Sequence, residues 1–418
     1  MSINNIKIIS LSAFLYLSLL SGFFLNESLN GGAYLDWMGT NKPPIEDFSK
    51  NFYKTLINYD EYGHRHSPTY LIFLSSLLRF DLSLETVRLV HLHLSIFLVL
   101  IFYKCLELKF KDVENSYLIL LSLLIFLSPT FRSLSIWPDS RVPGLLFFTI
   151  TLYFYLKYEQ TSSEKYIWLT SIFLIVTSYI SPNFCVFFIY FFYNIFKKMS
   201  IRKILLFFTF NIFAALPILY YIFIMKVNFL IAGGTPLSDT QSGVTLNFNF
   251  ADKILIISSI ALFHFIPILI SKSHYLPFLK FLKNKFIILF LALMSLVYFF
   301  DYKIGYTGGG VFFHLSNYFF DNNYFFYGIS FISLSFIFYI CKLNIRNLYI
   351  FLILIFSNIQ NTIYHKYYEP LLIIIFFTIL KNVDAENLLK DKKNIYNLYA
   401  LSLIFIAMKI YKNYYLNY

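Results

Sequence analysis

The sequence predicts an all-α polytopic membrane protein with about thirteen transmembrane helices. Of its 418 residues, 58% are hydrophobic and only 13% are charged, whereas about 25% of the residues in a soluble domain are charged. Apolar runs long enough to cross a bilayer recur along the whole chain. These runs are continuously apolar rather than alternating, which favours helices over a closed barrel, the other architecture that spans lipid.

The first apolar run, residues 7–25, is predicted to be a transmembrane helix that is not cleaved. It lacks the A-x-A cleavage site of a signal peptide and leads into the sequence LNESLNGG. A polar region at 26–86 follows it. The later spans are predicted at 87–105, 116–129, 142–156, 166–181, 184–196, 203–225, 253–270, 286–300, 324–341, 347–364, 370–381 and 395–412.

Inside the polar region, the run PTYLIFLSSLLRF (68–80) predicts a short juxtamembrane helix that lies on the membrane surface. The run has about thirteen residues, and a span needs about twenty. Its polar residues Thr69, Ser75, Ser76 and Arg79 fall near one side of a helix, as in an amphipathic surface helix.

The net charge of +12 indicates basic cytoplasmic loops rather than a nucleic-acid partner. With 68–80 on the surface, about 20 of the 34 Lys and Arg residues lie in short loops on one side of the membrane. Most of them lie in the loops 104–111, 197–203, 272–285, 341–346 and 381–393. The amino terminus is then cytoplasmic. The predicted outer segments are 26–86, 130–141, 226–252, 301–323 and the short turn 365–370.

The whole chain, 1–418, is predicted to form one transmembrane domain, because no soluble domain follows the last helix and no internal repeat is evident. The cysteines Cys105, Cys185 and Cys341 lie far apart, and no CxxC or Cys/His metal spacing appears. The sequence therefore indicates neither a disulfide framework nor a metal site. We expect no cofactor, with a divalent metal left open.

Most acidic side chains fall in the predicted outer segments, and Asp36 is the first candidate among them. It follows the first helix by about ten residues in GGAYLDW, where two glycines allow a tight turn close to the membrane. A carboxylate there can take a proton from an incoming hydroxyl group or hold that group by a hydrogen bond. The alternative is a solvated loop acid or a helix N-cap.

The stretch NYDEYGHRHSPTY gathers two acids, two histidines and an arginine in an otherwise apolar chain. Asp60 and Glu61 suit a sugar hydroxyl, a basic substrate group or a cation. His64, Arg65 and His66 suit a phosphate, because arginine offers a bidentate fork to its oxygens. The alternative is a surface loop at the depth of the lipid headgroups.

Charged residues also lie at two further outer turns. In IWPDSRVPG, Asp139 and Arg141 either form an ion pair that fixes the loop or frame a binding site. In HKYYEP, His365, Lys366 and Glu369 lie at the junction of two helices. They serve either a site or interfacial anchoring, since tyrosines surround them.

Taken in order, these motifs resemble the integral-membrane glycosyltransferases of the GT-C fold, in particular protein O-mannosyltransferases and the aminoarabinose transferases of lipid A. In that family an aspartate follows the first helix in a large outer loop. A juxtamembrane helix opening with His and Pro comes next, and a Pro-Asp pair opens the fourth helix. Here Asp36 is followed by HSPTYLIFLSSLLRF, which begins at His66, and by LSPTFRSLSIWPDSRVPG, which contains Asp139. The resemblance covers roughly residues 1–160 and, beyond them, only the helix count.

The resemblance implies transfer of a sugar from a polyprenyl-phosphate donor to a lipid, glycan or protein acceptor, with inversion. It implies an active site on the outer face of a membrane, here a bacterial inner (plasma) membrane whose lipid surrounds the protein. Asp36 matches the catalytic aspartate and Asp139 the second acidic position. The leaving phosphate needs cationic partners. The candidates for this role are Arg65, Arg132, Arg141 and Lys366.

The chain departs from the protein mannosyltransferases in having Trp37 where they have glutamate and in lacking their large outer domain, which weighs against a protein acceptor. Two alternatives stay open. A polysaccharide polymerase or ligase would use similar chemistry on the outer face. A transporter (flippase) for a lipid-linked glycan would need polar residues deep in its helices. The main polar residues of this kind are Asn211, Asn358, Gln360 and Asn361.

Overall fold

The computed structural model describes residues 3–64, 66–197, 199–224, 248–303, 308–358 and 360–415. It is 82% helix, and none of the described residues forms a strand, which confirms the all-α prediction. The chain divides into two compact units, although the sequence predicts one domain. Unit 1 is Met1–Gly234 with Ser402–Tyr418, and unit 2 is Thr235–Leu401.

In unit 1, α9 packs against α6 and α10, and short helices cover the segment between the first two long ones. The helices are α1 (Ile3–Phe24), α2 (Gly31–Asp36), α3 (Lys42–Lys50), α4 (Phe52–Ile57), α5 (Thr69–Arg79), α6 (Leu84–Lys109), α7 (Asn115–Leu123), α8 (Pro129–Ile136), α9 (Arg141–Thr161), α10 (Glu164–Ile180), α11 (Phe187–Phe196) and α12 (Ile201–Phe223). Single turns of other helical types lie at Trp37–Asn41 (π) and at Tyr59–Tyr62, Leu124–Leu127 and Pro182–Val186 (3-10).

In unit 2, α13 lies at the centre and packs against the helices that follow it. These elements are α13 (Phe250–Leu269), α14 (Lys272–Tyr298), α15 (Gly310–Phe320), α16 (Tyr324–Leu343), α17 (Ile345–Phe356), α18 (Leu371–Thr378), α19 (Ala385–Lys390) and α20 (Lys392–Tyr415), whose end belongs to unit 1. Of the most apolar stretch of α13, 83% is buried.

Seven described helices are long and apolar enough to cross a membrane, which confirms a multi-pass membrane protein. They are Ile6–Phe24, Leu84–Lys109, Ile201–Phe223, Phe250–Leu269, Lys272–Tyr298, Tyr324–Leu343 and Lys392–Asn413. The number rises to eight if α7 and α8 form one bent span. The predicted number of about thirteen is not confirmed, since several apolar runs fold as helices too short to cross.

The polar region 26–86 is mostly helical rather than an open loop. The juxtamembrane helix predicted at 68–80 is confirmed as α5, whose 11 residues are too few for a span. The next helix, α6, begins where Ser83 accepts a hydrogen bond from the backbone N–H of Thr86.

The loop predicted at 130–141 is wrong over most of its length, because residues 129–136 form the buried helix α8. Ser128 caps it by accepting the backbone N–H of Phe131 at 3.0 Å, and Pro129 occupies its first turn. The helix axis turns by 65° between α7 and α8. The chain therefore approaches Asp139 through the helix α8 rather than through a loop.

The basic loop predicted at 272–285 is also wrong, because these residues form the first half of α14. This helix has 27 residues, about 40 Å at 1.5 Å per residue, and the hydrocarbon core is about 30 Å thick. The lysine-rich turns can therefore continue the helix beyond the lipid. In the loop predicted at 301–323, residues 310–320 form α15. Of the loop predicted at 226–252, only 248–252 are described.

The two spans predicted at 347–364 and 370–381 each form only a short helix. The first contains most of α17 and the second contains α18, with described residues between them that lie outside any α-helix. Residues 360–370, here named the broken limb, run beside α13 before α18 begins. Lys253 Nζ donates to the Gln360 carbonyl at 3.0 Å, and the Nε2 atoms of His264 and His365 lie 2.9 Å apart. Lys253 and His264 are about 16 Å apart along α13, and an extended chain covers that length in five residues. His365, in the turn predicted at 365–370, thus lies beside His264, five residues before the end of α13.

Specific polar groups satisfy the backbone of the broken limb where it lacks helical hydrogen bonds. The carbonyl of Ile363 accepts the Gly309 N–H at 3.0 Å, and the Ile363 N–H donates to Tyr302 Oη at 3.1 Å. Gly308, at φ +111°, lies so close that an added Cβ would be 2.5 Å from the Ile363 carbonyl oxygen. Irregular backbone at this depth is tolerated only when protein surrounds it in this way or water reaches it.

Candidate active site

A buried ion pair between Glu27 and Arg132 ties the segment after α1 to α8 in unit 1. Arg132 Nε donates to Glu27 Oε1 at 2.7 Å, and Nη2 donates to Oε2 at 2.6 Å. The guanidinium also donates to the hydroxyl and carbonyl oxygens of Ser18. The two charged side chains are 7% and 17% exposed, and the bidentate geometry offsets the cost of their burial. These contacts hold the guanidinium that the sequence predicted as a phosphate ligand, and that role of Arg132 stays a prediction.

Gly22 on α1 leaves the space that this ion pair needs. A Cβ added at residue 22 would lie 2.6 Å from Glu27 Oε2 and 3.2 Å from Arg132 Nη2. Any side chain at this position would therefore displace the paired groups.

Two more hydrogen bonds fasten the segment after α1 to the segment around α8. The Asn30 N–H donates to Ser133 Oγ at 2.8 Å, and Asn41 Nδ2 donates to the Pro138 carbonyl at 3.0 Å. The partners are 103 and 97 residues apart in the sequence. Residues 30–41 are thus held at both ends.

Asp36 lies between these two attachments, as the last residue of α2 and directly before the π-helical turn. Ala33 and Trp37 face the interior and are buried, whereas the Asp36 side chain is 34% exposed. The Thr40 hydroxyl donates to the Asp36 carbonyl within the turn. A π turn widens a helix locally and often marks a functional site.

Asp139 and Arg141 complete a three-residue cluster with Asp36. Asp139 Oδ1 accepts the backbone N–H of Arg141 at 2.8 Å, and Asp139 Oδ2 lies 3.4 Å from Arg141 Nη1. The same Nη1 atom lies 3.7 Å from Asp36 Oδ2. One guanidinium therefore lies between two carboxylates that come from distant parts of unit 1.

The two carboxylates of the cluster differ in exposure and in how firmly they are held. The Asp139 side chain is 8% exposed and is held by a backbone N–H. Asp36 is more exposed, and its 3.7 Å separation from Arg141 Nη1 is longer than a hydrogen bond. Asp36 can therefore meet an incoming hydroxyl group, while Asp139 holds Arg141 in place.

A buried pair of side chains, Tyr70 and His91, joins α5, α6 and α8 near this cluster. His91 Nε2 lies 2.7 Å from the Leu134 carbonyl, so we infer that Nε2 carries the proton and that Nδ1 accepts from the Tyr70 hydroxyl. Burial, and after it the negative charge of Asp139, raises the pKa of Tyr70 well above its ordinary value. The hydroxyl therefore stays protonated and keeps donating.

His64 contacts the segment that carries Asp36. Its Nε2 donates to the carbonyl of Thr40 at 2.5 Å, and its ring stacks on Tyr59 with 5.5 Å between centroids. His64 thus links the stretch NYDEYGHRHSPTY to the segment that carries Asp36.

Three other candidate residues of that stretch, Asp60, Glu61 and His66, are exposed or half-buried. Asp60 and Glu61 are exposed on a 3-10 turn. His66 is half-buried, and its carbonyl accepts the Tyr59 hydroxyl at 3.1 Å. Arg65 lies outside the described residues.

The predicted residues His365, Lys366 and Glu369 lie in unit 2, on the broken limb. Lys366 and Glu369 are 8% and 5% exposed. His365 contacts His264 as described above, and Lys366 Nζ lies 4.8 Å from the centroid of the Tyr364 ring. Their role as substrate ligands stays a prediction.

The sequence analysis missed two residues that build the cluster, Glu27 and Trp137. Glu27 appears in the sequence as an ordinary loop acid, because its partner Arg132 is 105 residues away. Trp137 Nε1 donates to the Glu27 carbonyl at 2.9 Å. One available signal was that Glu27 is the first acid in the chain and the only one before Asp36.

Comparison with known proteins finds no matching family model, curated protein or solved structure. Within the described ranges, no group of three or more His, Cys, Asp or Glu side chains is placed to hold a metal ion.

Proposed function

We propose that the chain is an integral-membrane glycosyltransferase that moves a sugar from a polyprenyl-phosphate donor to a hydroxyl group of a lipid, glycan or protein acceptor. The observation that most supports this proposal is the convergence of Asp36 and Asp139 on one Arg141 guanidinium. A half-exposed carboxylate beside an anchored cation suits the activation of a hydroxyl group and the departure of a phosphate.

The membrane helices support the choice of a lipid-linked donor. An isoprenoid tail stays in lipid while its phosphate meets water, so such a donor needs a site at the edge of a membrane protein. We place this site on the outer face of a bacterial inner membrane, with a cytoplasmic amino terminus, as the distribution of Lys and Arg in the sequence predicts.

In the proposed reaction Asp36 is the general base and Arg141 is the cation for the leaving group. The Asp36 carboxylate takes the proton of the acceptor hydroxyl as that oxygen bonds to the anomeric carbon. The bond from that carbon to the phosphate oxygen breaks, and its electron pair leaves with the phosphate, whose charge Arg141 meets. One displacement of this kind inverts the anomeric centre. Exposed Asp60 and Glu61 are our candidates for binding acceptor hydroxyl groups.

The test is sugar transfer in proteoliposomes supplied with a panel of polyprenyl-phosphate sugars, with products identified by mass spectrometry. We expect Asp36→Asn to lower transfer about 10²- to 10⁴-fold, the usual contribution of a general base, without loss of folding. Asp81→Asn is the matched control, since Asp81 is exposed at φ 58°, a conformation that asparagine adopts readily. Full activity of Asp36→Asn would remove the proposed base.

A second candidate, a transporter for a lipid-linked glycan, is favoured by the broken limb of unit 2. Transporters often bind substrate where a span loses its helical structure, and Lys366 and Glu369 are buried there. Movement of a labelled lipid-linked glycan across vesicles with no covalent product would favour the transporter. A joined polysaccharide, rather than one added sugar, would instead indicate a polymerase or ligase.

A further inference from the structure

We propose that Trp137 is a positioning residue that sets the spacing between Asp36 and the pair of Asp139 and Arg141. Trp137 directly follows α8, lies two residues before Asp139 and is 4% exposed. Its effect on sugar transfer rests on the proposed function, whereas its effect on the geometry of the cluster does not.

The indole contacts the helix that carries Asp36. The Trp137 and Tyr34 rings meet edge to face, with centroids 4.8 Å apart and an interplanar angle of 70°. This is a favourable aromatic arrangement. Tyr34 lies two residues before Asp36 in α2, as Trp137 lies two residues before Asp139. The ring pair is therefore a spacer between the two stretches of backbone that carry the carboxylates.

Two further contacts fix the indole itself. Its Nε1 atom donates to the Glu27 carbonyl, and Arg88 Cζ lies 3.9 Å from its ring centroid, a cation–π contact. The Arg88 guanidinium is fixed in turn, because it donates to the Ile136 carbonyl at 3.3 Å and to Asn26 Oδ1 at 3.1 Å. The indole cannot rotate without breaking one of these contacts.

The spacing matters because it sets the distance from Asp36 Oδ2 to Arg141 Nη1, which is 3.7 Å. A closer approach than 3.7 Å would form a tight salt bridge that competes with an acceptor hydroxyl for the carboxylate. A larger separation would take the base away from the cation that receives the phosphate. A misplacement of about 1 Å can cost about 10²-fold in rate.

The geometric part is tested with two spin labels, at Leu35→Cys and Ser140→Cys, which adjoin the two carboxylates. The three native cysteines are first replaced by serine. Continuous-wave EPR of the reconstituted protein then reports the separation as dipolar broadening. We expect the broadening to change when Trp137→Ala is added, because the ring pair then no longer sets the separation, and to take an intermediate value for Trp137→Phe, which keeps a ring but loses the Nε1 hydrogen bond. Trp168→Phe, in α10 of the same unit, is the matched control and is expected to leave the spectrum unchanged. Unchanged broadening in both Trp137 variants would overturn the proposal.

The kinetic part separates positioning from general damage. In the cysteine-containing chain we expect Trp137→Ala to lower kcat about 10- to 100-fold with little change in KM for the donor, and Trp137→Phe to recover part of it. An equal loss in Trp168→Phe, or a change confined to KM, would contradict positioning. If the wild type transfers no sugar, the proposed function fails while the EPR result still decides the role of Trp137. If Trp137→Ala does not fold, the EPR and kinetic measurements are both made on Trp137→Phe.

Discussion

Polar side chains are buried in both units of the molecule, but they are satisfied in different ways. In unit 1, side chains from distant segments pair with one another, and the pairing ends at Asp36, whose carboxylate is half-buried beside Arg141. In unit 2, nearby groups pair with the irregular backbone of the broken limb, as the Tyr302 oxygen does with the Ile363 N–H, beside the contact between the His264 and His365 side chains. A site that pairs side chains and ends at solvent can meet a substrate, whereas polar groups that satisfy irregular backbone are needed for the fold. We therefore expect changes at the cluster of Asp36, Asp139 and Arg141 to alter transfer and changes at the broken limb to alter stability.

The largest expected effect is on stability, from the buried ion pair within unit 1. Arg132→Met leaves Glu27, whose side chain is 17% exposed, without its bidentate partner. We expect a loss of about 3–5 kcal/mol in the free energy of unfolding in detergent. Lys203→Met is the control, because its partner is Glu164 and both side chains are at least half exposed, at 50% and 58%. We expect less than about 1 kcal/mol from it. Equal losses in the two variants would show that burial does not distinguish these pairs.

The next effect is on transfer, from the cation of the cluster. Arg141→Gln removes the charge proposed to meet the leaving phosphate, so we expect kcat to fall about 10²-fold. Arg141→Lys keeps the charge without the planar fork and should recover part of the rate. Arg202→Gln, at an exposed position of α12, is expected to behave as wild type. Wild-type turnover in Arg141→Gln would show that the charge of Arg141 is not needed for the reaction.

A smaller effect is expected at the broken limb, on stability alone. Tyr302→Phe removes the hydroxyl oxygen that accepts the Ile363 N–H and leaves that buried donor unpaired. We expect about 1–3 kcal/mol of destabilisation and an unchanged kcat for the folded protein. Tyr318→Phe, at a position 64% exposed, should change neither quantity. A fall in kcat in Tyr302→Phe would contradict the expectation that the broken limb affects stability and not transfer.

The smallest effect depends on pH and concerns Tyr62, on the surface of unit 1. Its hydroxyl donates to Asp47 Oδ2 at 2.6 Å. Burial, and after it this hydrogen bond, raises the pKa of Tyr62 from 10.0 to about 12. The folded state therefore binds this proton more tightly than the unfolded state. The stabilisation is complete below pH 10 and is lost as the pH rises towards 12.

The measurement for Tyr62 is the difference in unfolding free energy between wild type and Tyr62→Phe. We expect about 0.5–1.5 kcal/mol at neutral pH, near the lower end because the side chain is partly exposed. The difference should be constant up to pH 10 and shrink above it. A difference that grows with pH would reverse the sign of the linkage.

The sequence correctly predicted those helices that are defined by the hydropathy pattern of their own residues. The first helix and the juxtamembrane helix 68–80 match α1 and α5 closely, because length and amphipathic pattern define them locally. The stretch TFRSLSIWPDSR appeared as a loop because it is polar. Its Arg132 is instead paired with Glu27, a residue that no local pattern connects to it.

The span predicted at 347–364 shows the opposite error, an apolar run whose described residues are helical only as far as Phe356. Residues 347–364 are hydrophobic enough to suggest one span, and average hydropathy outweighs the polar stretch NIQNT at 358–362. Asn358 Oδ1 accepts the Gln360 N–H at 3.3 Å, a side-chain contact that competes with helical hydrogen bonding. The sequence likewise brought Asp36 and Asp139 forward as separate candidates, and only the attachments between 30–41 and 133–138 bring them to one guanidinium.

The contact between Gly22 and the ion pair has a consequence for evolution. Because a Cβ at residue 22 would collide with Glu27 Oε2, the residues at 22, 27 and 132 cannot drift independently. We expect homologues to keep glycine at the first position wherever the other two retain opposite charges. Homologues that lose the charges at 27 and 132 should accept bulkier residues at position 22. Covariation among these three positions in a sequence alignment would then reveal the ion pair.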